Sequence, residues 1–257
     1  MKLNLEAMRA KLEASKSGKR NGGGNSTMWK PKPGVQQLRI VPTADGDPFR
    51  EFQFHYGVGK NPGIYCNKRN DNTPCPICDF ATQLWRDGVK NDDNTLKTEA
   101  KKLFAKKRYY SPVLVRGAES EGVKIWAYGK QAYEALLSYV LDPDYGDITD
   151  VEEGTDLTLT YTASTGKGSF PKTQLQPRRR PSVLCDDAVA DCEELLASVP
   201  KIDDLFDRKT TEQLQIILDG YLSSDESAEE SSSETSKYKK TDSSDVDKAY
   251  SDFMSAE

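Results

Sequence analysis

The chain is predicted to be mainly β with helices, an α+β fold built on a small, partly open barrel of the OB type with insertions. Three observations carry that expectation. The strand-like runs are short and separated by Gly, Pro and polar turns. Helical patterns are occasional and do not alternate regularly with the strands, as a parallel βαβ array would require. Asp156 to Ala163 (DLTLTYTA) alternates apolar and polar residues as a half-buried strand does.

Residues 3–16 are expected to form a short helix with Leu5, Met8 and Leu12 on one face, surrounded by Lys2, Arg9, Lys11, Lys16, Lys19 and Arg20. Asn21 to Ser26 (NGGGNS) is a flexible tether, so residues 1–24 read as a basic arm outside the core. From Trp29 onward, strands are expected at Gln37–Val41, stopped by Pro42, and at Phe49–Tyr56. Tyr110–Arg116 and Val123–Tyr128 make a hairpin across the polar stretch Gly117 to Gly122. Helices are expected at Cys78–Arg86, at Lys130–Leu141, after residue 186, and at 211–222 (TEQLQIILDGYL). The core is therefore residues 25–222. Residues 223–257 begin SSDESAEESSSETS, which has too little apolar surface to fold, and are expected to be a disordered acidic tail. Within that tail Tyr250, Phe253 and Met254 resemble a short motif that docks on a partner.

The net charge of −5 hides an asymmetry. The tail holds ten Asp/Glu and four Lys, whereas the remaining 222 residues hold 32 basic and 31 acidic groups. Residues 101–130 carry eight Lys/Arg against two Glu, and residues 165–180 carry five Lys/Arg and no acid. A near-neutral body with basic stripes is compatible with nucleic acid despite a pI of 5.2. The N-terminal segment has no apolar signal-peptide region, no apolar run approaches a membrane span, and the Cys count is an odd five. A soluble chain in a reducing, intracellular compartment is expected, without a membrane partner.

The only histidine, His55, precedes Cys66, Cys75 and Cys78 in the pattern H-x10-C-x8-C-x2-C. Imidazole and thiolates are the ligands zinc prefers, four in number. Cys75-Pro76-Ile77-Cys78 places two thiols on one tight knuckle. Gly57, Gly59, Gly63 and Asn61-Pro62 supply the turns that bring His55 and Cys66 round to it. Four protein ligands leave no open position, so one structural Zn²⁺ is expected. A thioredoxin-like redox CxxC and a buried histidine beside unrelated cysteines are the competing readings. Cys185 and Cys192 are read as ordinary packing thiols.

Binding single strands takes cations for phosphates and aromatic faces for bases. Lys106, Lys107 and Arg108 run into Tyr109 and Tyr110, and Lys124, Trp126, Tyr128 and Lys130 follow at one parity. A second basic patch, Lys167, Phe170, Lys172 and Arg178-Arg179-Arg180, is read as a Gly/Ser/Pro-rich loop that closes over a strand. The bland alternative is that strand aromatics are core and the cations a solvated face.

MWKPKPGVQQLRIVP, the DPFREFQFHYGV…YC…CPICDF segment and KKRYYSPVLV…GVKIWAYGKQAYE together resemble the helix-destabilising single-stranded DNA-binding proteins of T-even-like bacteriophages. The resemblance implies an OB-fold core with an inserted zinc subdomain at about 50–86, a basic N-terminal arm and an acidic C-terminal tail. It implies that His55, Cys66, Cys75 and Cys78 are the zinc ligands and that Tyr109, Tyr110, Trp126 and Tyr128 face DNA. Lys106, Lys107 and Arg108 stand in the family's basic run without its usual terminal hydroxyl residue. The arm's short basic motif, here Lys16, Lys19 and Arg20, implies self-association along the DNA.

The expected function is cooperative coating of single-stranded DNA in viral replication, recombination and repair, in the cytoplasm of an infected bacterial host. The acidic tail recruits phage replication and recombination proteins, and no enzymatic activity is expected. A zinc-containing RNA-binding or transcription factor, or a CxxC oxidoreductase, are the alternatives.

Overall fold

β-Strand pairing organises the molecule. The computed structural model describes residues 27–59, 61–164, 166, 169–186 and 191–226. The predicted helix at 3–16 with Lys16, Lys19 and Arg20, the residue Lys167, and 227–257 of the tail lie outside them.

The elements in chain order are β1 (Met28–Trp29), β2 (Gly34–Ile40), β3 (Arg50–His55), β4 (Ile64–Tyr65), α1 (Asn67–Asp71), α2 (Pro76–Lys90), α3 (Asn94–Leu103), β5 (Lys106–Val115), β6 (Lys124–Tyr128), α4 (Lys130–Leu141), β7 (Leu157–Thr162), β8 (Lys172–Pro177), α5 (Cys192–Ala197) and α6 (Thr211–Glu226). The fold is α+β, dominated by one eight-stranded sheet in the order β1-β6-β5-β2-β7-β8, with β3 on β5 and β4 on β3. β1 lies parallel to β6 and every other pair is antiparallel. Among the described residues neither β1 nor β8 pairs onward, so the sheet remains open.

β5 is the longest strand. Its first half pairs with β3 (Tyr110↔Arg50) and its second half with β2 (Val113↔Ile40), both on the edge opposite β6. Alternation then sends neighbouring side chains to opposite faces. Tyr109, Val113, Trp126 and Tyr128 join Leu38, Ile40 and Leu136 in one cluster. Tyr110 and Ile125 join Phe52, Phe54 and Ile202 in another. The central hairpin is therefore covered on both faces.

A third cluster belongs to the Cys-rich region. α2 packs Ile77, Phe80, Ala81 and Leu84 against Leu103 and Phe104, and Leu214 and Leu218 of α6 complete it. This lobe thus draws on α3 and α6 as well as the expected 50–86 segment.

Cys185 and Cys192 form a disulfide, which corrects their reading as packing thiols. The seven-residue separation returns the chain to a Cα–Cα distance of 5.7 Å, within bridging range. No helix among the described residues is long and apolar enough to cross a membrane.

Candidate metal centre and nucleic-acid interface

His55 ends β3, and the β3–β4 hairpin (His55↔Ile64) carries the chain back to Cys66 beside it. Cys66 caps α1, its sulfur accepting from the Arg69 amide at 3.4 Å. Cys75 caps α2 and Cys78 lies in that helix's first turn, where Pro76 is tolerated because its missing N–H has no intrahelical partner to lose. Helix N-termini favour thiolates through their exposed amide dipoles. Asn70 braces the knuckle, donating to the Gln53 and Cys66 carbonyls at 2.9 Å while accepting from the Gln53 amide.

All four side chains are buried, and their ligand atoms lie within 4.8 Å of one another. The Cys66 and Cys78 sulfurs are 3.4 Å apart, and His55 Nε2 is 3.4 Å from Cys75 and 3.5 Å from Cys78. Tetrahedral zinc with the usual bond lengths sets such edges at about 3.6–3.8 Å. His55 Nδ1 donates to the Leu103 carbonyl at 2.7 Å, the outer bond that orients a ligating imidazole. Burial pulls the His55 pKa down, but hydrogen bonds with Cys66 and Cys75 outweigh it and raise the imidazole to about 10. Hydrogen bonding with Cys66 holds Cys75 well below the thiol range. The cluster wants a positive charge at its centre, and the donor set fits zinc.

The basic and aromatic residues divide differently from expectation. Tyr109, Tyr110, Trp126 and Tyr128 are only 4, 6, 1 and 3 % exposed. Tyr109 and Tyr110 sit on opposite faces of the sheet, so they do not line one surface. Tyr109 is stacked on Tyr133 with ring centroids 3.9 Å apart, which occupies one of its faces. All four are buried, as the core reading of strand aromatics has it. They are sheet core, with Trp126 and Tyr128 forming part of a groove wall.

The cations fare otherwise. Lys106, Lys107 and Arg108 are exposed at the start of β5, with Lys107 paired to Glu51 at 2.8 Å. Lys124 is half-buried and 3.7 Å from Glu121. Lys130 is the exposed first residue of α4, as expected, with Gly129 as its cap. Lys172 lies on β8, which replaces part of the expected loop, while Phe170 before it is 84 % exposed. Arg178, Arg179 and Arg180 are exposed just beyond β8.

A groove of about 560 Å³ collects several of these groups. Trp29, Lys30, Arg108, Lys130 and Tyr161 line it. Trp29 and Tyr161 are half-buried, and Trp29 meets Trp126 edge-on at 6.2 Å. Trp29, Lys30 and Tyr161 were missed as site residues. Trp29 and Lys30 had a usable signal, an aromatic and a cation side by side in the Pro-broken stretch MWKPKPG.

The family model described as gp32 DNA binding protein like matches residues 32–219. The chain belongs to this family. The match covers seven of the eight strands, β2 to β8, and the His/Cys cluster, so these form a gp32-like DNA-binding domain; β1 and Lys30 precede it. No curated protein matches the chain at a significant level.

Proposed function

We propose that the protein coats single-stranded DNA cooperatively during viral replication, recombination and repair, in the cytoplasm of the infected bacterial host. The observation that carries this is the groove, where Lys30, Arg108 and Lys130 meet the half-buried Trp29 and Tyr161 beside and within the gp32-like segment 32–219. Cations for phosphates beside faces for bases is the arrangement that takes single strands without reading sequence.

In this reading one zinc ion bound by His55, Cys66, Cys75 and Cys78 cross-links β3, the α1 cap and α2, and so holds the lobe in shape. The exposed Lys106, Lys107, Arg108, Lys172 and Arg178–Arg180, with Lys167, contact phosphates, and Phe170 offers a further ring. Lys16, Lys19 and Arg20 on the arm contact the next copy along the strand. The acidic tail recruits replication and recombination proteins and competes with DNA for the basic groove. The protein is not an enzyme, and its only histidine is committed to the metal centre.

The test is titration of Trp/Tyr fluorescence with single-stranded DNA, duplex DNA and RNA. Preferential, salt-sensitive quenching by single-stranded DNA is the expected result. A preference for duplex sinks the proposal, and a preference for RNA favours an RNA-binding factor.

A further inference from the structure

A buried charge network lies behind the arginine run. Arg39 of β2 is fully buried, and Asp156, just before β7, is 4 % exposed. Arg39 Nε donates to Asp156 Oδ1 at 2.9 Å. From the end of β5, Arg116 grips the same carboxylate with Nε and Nη2, both at 3.1 Å. Both guanidinium groups then reach one strip of backbone. Arg39 Nη2 donates to the carbonyl and hydroxyl of Ser182, while Arg116 donates to the carbonyls of Val183 at 2.7 Å and Leu184 at 2.9 Å.

That strip belongs to neither a helix nor a strand. Three amides tie it to the turn before β7: Arg178 to the Asp156 carbonyl at 2.9 Å, Ser182 to Gly154 at 2.9 Å and Leu184 to Val151 at 2.7 Å. The guanidinium groups fasten it from the sheet side. Apolar packing would hold such a segment without the cost of burying charge. What directional, charge-assisted bonds add is register, because each N–H must meet its acceptor at a set distance and angle. The residues whose register is set this way include Arg178, Arg179 and Arg180. Arg178 is further fixed by its bond to Gln37 Oε1 at 2.9 Å.

We propose that Arg39, Arg116 and Asp156 are positioning residues for nucleic-acid binding: they hold the 178–184 strip so that three exposed arginines present to the phosphate backbone of a single strand. The proposal rests on the single-stranded DNA reading above and adds to it a part of the protein that touches no DNA.

The experiment is a double-mutant cycle on the full chain. The readout is the slope of log affinity for a single-stranded oligonucleotide against log salt. R178A/R179A/R180A is expected to reduce the slope by about 2, from roughly 0.7 for each single-strand phosphate contact. Asp156→Asn alone is expected to lose slope comparably, and to cause no further loss in the triple-Ala background. Amide exchange at Ser182 and Leu184 is expected to quicken in the same variant. Ser182→Ala removes only the hydroxyl bond to Arg39 and leaves the buried charges balanced. It is expected to move slope and exchange less, in the same direction, and it carries the test if Asp156→Asn does not fold. Equal losses from Asp156→Asn, or from Ser182→Ala, in both backgrounds mean a general structural role and overturn the proposal. So does a triple-Ala variant that binds like the wild type. A wild-type protein without preference for single strands overturns the underlying reading instead.

Discussion

His55 Nδ1 donates to the Leu103 carbonyl at 2.7 Å, so only Nε2 is left facing the three sulfurs. The hydrogen bond links the end of α3 to the His/Cys cluster and leaves Nε2 as the nitrogen that would ligate a metal. One equivalent of zinc is expected by metal analysis. Cys75→Ser or Cys78→Ser is expected to abolish stoichiometric binding and lower Tm sharply, since a structural zinc is worth on the order of 10 kcal/mol of binding free energy. A protein that binds no metal, with Cys75 and Cys78 reacting freely with thiol reagents, would refute the assignment.

The same lobe includes α6. Leu214 and Leu218 of α6 are buried with Ile77 and Phe80, and Thr211 Oγ1 donates to the carbonyl of Pro74, next to ligand Cys75, at 3.3 Å. Leu214→Ala is expected to cost about 2–5 kcal/mol in denaturant unfolding. Chelation is expected to expose the 207–222 segment to protease. Cleavage there at equal rates with and without metal would show that α6 docks independently of zinc.

Where tertiary context agrees with local pattern, the structure follows the sequence closely. The helix expected at Lys130–Leu141 has those limits, and the Asp156–Ala163 strand is β7 less one residue at each end. The metal site was legible because ligand chemistry restricts residue type and spacing. β1 and β4, two residues each, exist only through their partners β6 and β3, so they leave no periodic signal. The burial of Tyr109 and Tyr110 was not legible because β5 opens on exposed Lys106–Arg108 and only the elements packed on its two faces cover the tyrosines. Arg39 reads as an ordinary polar residue in QLRIV; its burial is made tolerable by Asp156, the Asp150 carbonyl and Ser182, all more than 100 residues away in sequence.

The groove predicts which aromatic rings report DNA. Trp29→Ala and Tyr161→Ala are each expected to weaken single-strand binding by roughly 1–3 kcal/mol, the range for lost base stacking. Tyr110→Ala, within the cluster on the opposite face, is expected to lower stability by about 3–5 kcal/mol, by analogy with large aromatic truncations, with less effect on affinity once folded. Affinity by fluorescence anisotropy, measured beside Tm, separates the two behaviours. Loss of affinity at Tyr110 with unchanged Tm would reverse this assignment.

Residues 227–257 hold eight Asp/Glu and four Lys. A segment of that balance resembles DNA to a basic surface. Deleting it, while keeping α6 intact, is expected to raise affinity for single-stranded DNA, most strongly at low salt where screening is weakest. The gain is expected to shrink as salt rises. Equal affinities for full-length and truncated protein across a salt series would remove the competition from the proposed mechanism.

Gly154 tests the buried network through shape rather than charge. A Cβ at this position would overlap the Asp150 carbonyl oxygen and the Arg39 guanidinium. Arg39 is fully buried and held by Asp156, the Asp150 carbonyl and Ser182. Gly154→Ala therefore forces either the 150–156 turn or Arg39 out of place. Overpacking of this kind costs about 1–3 kcal/mol, and more where the obstructing atoms are backbone. The expected outcome is a clear fall in the denaturation midpoint, with quickened amide exchange at Ser182, whose N–H donates to the Gly154 carbonyl. A variant as stable as the wild type would mean that the turn yields easily, and that the register of the 178–184 strip does not depend on it.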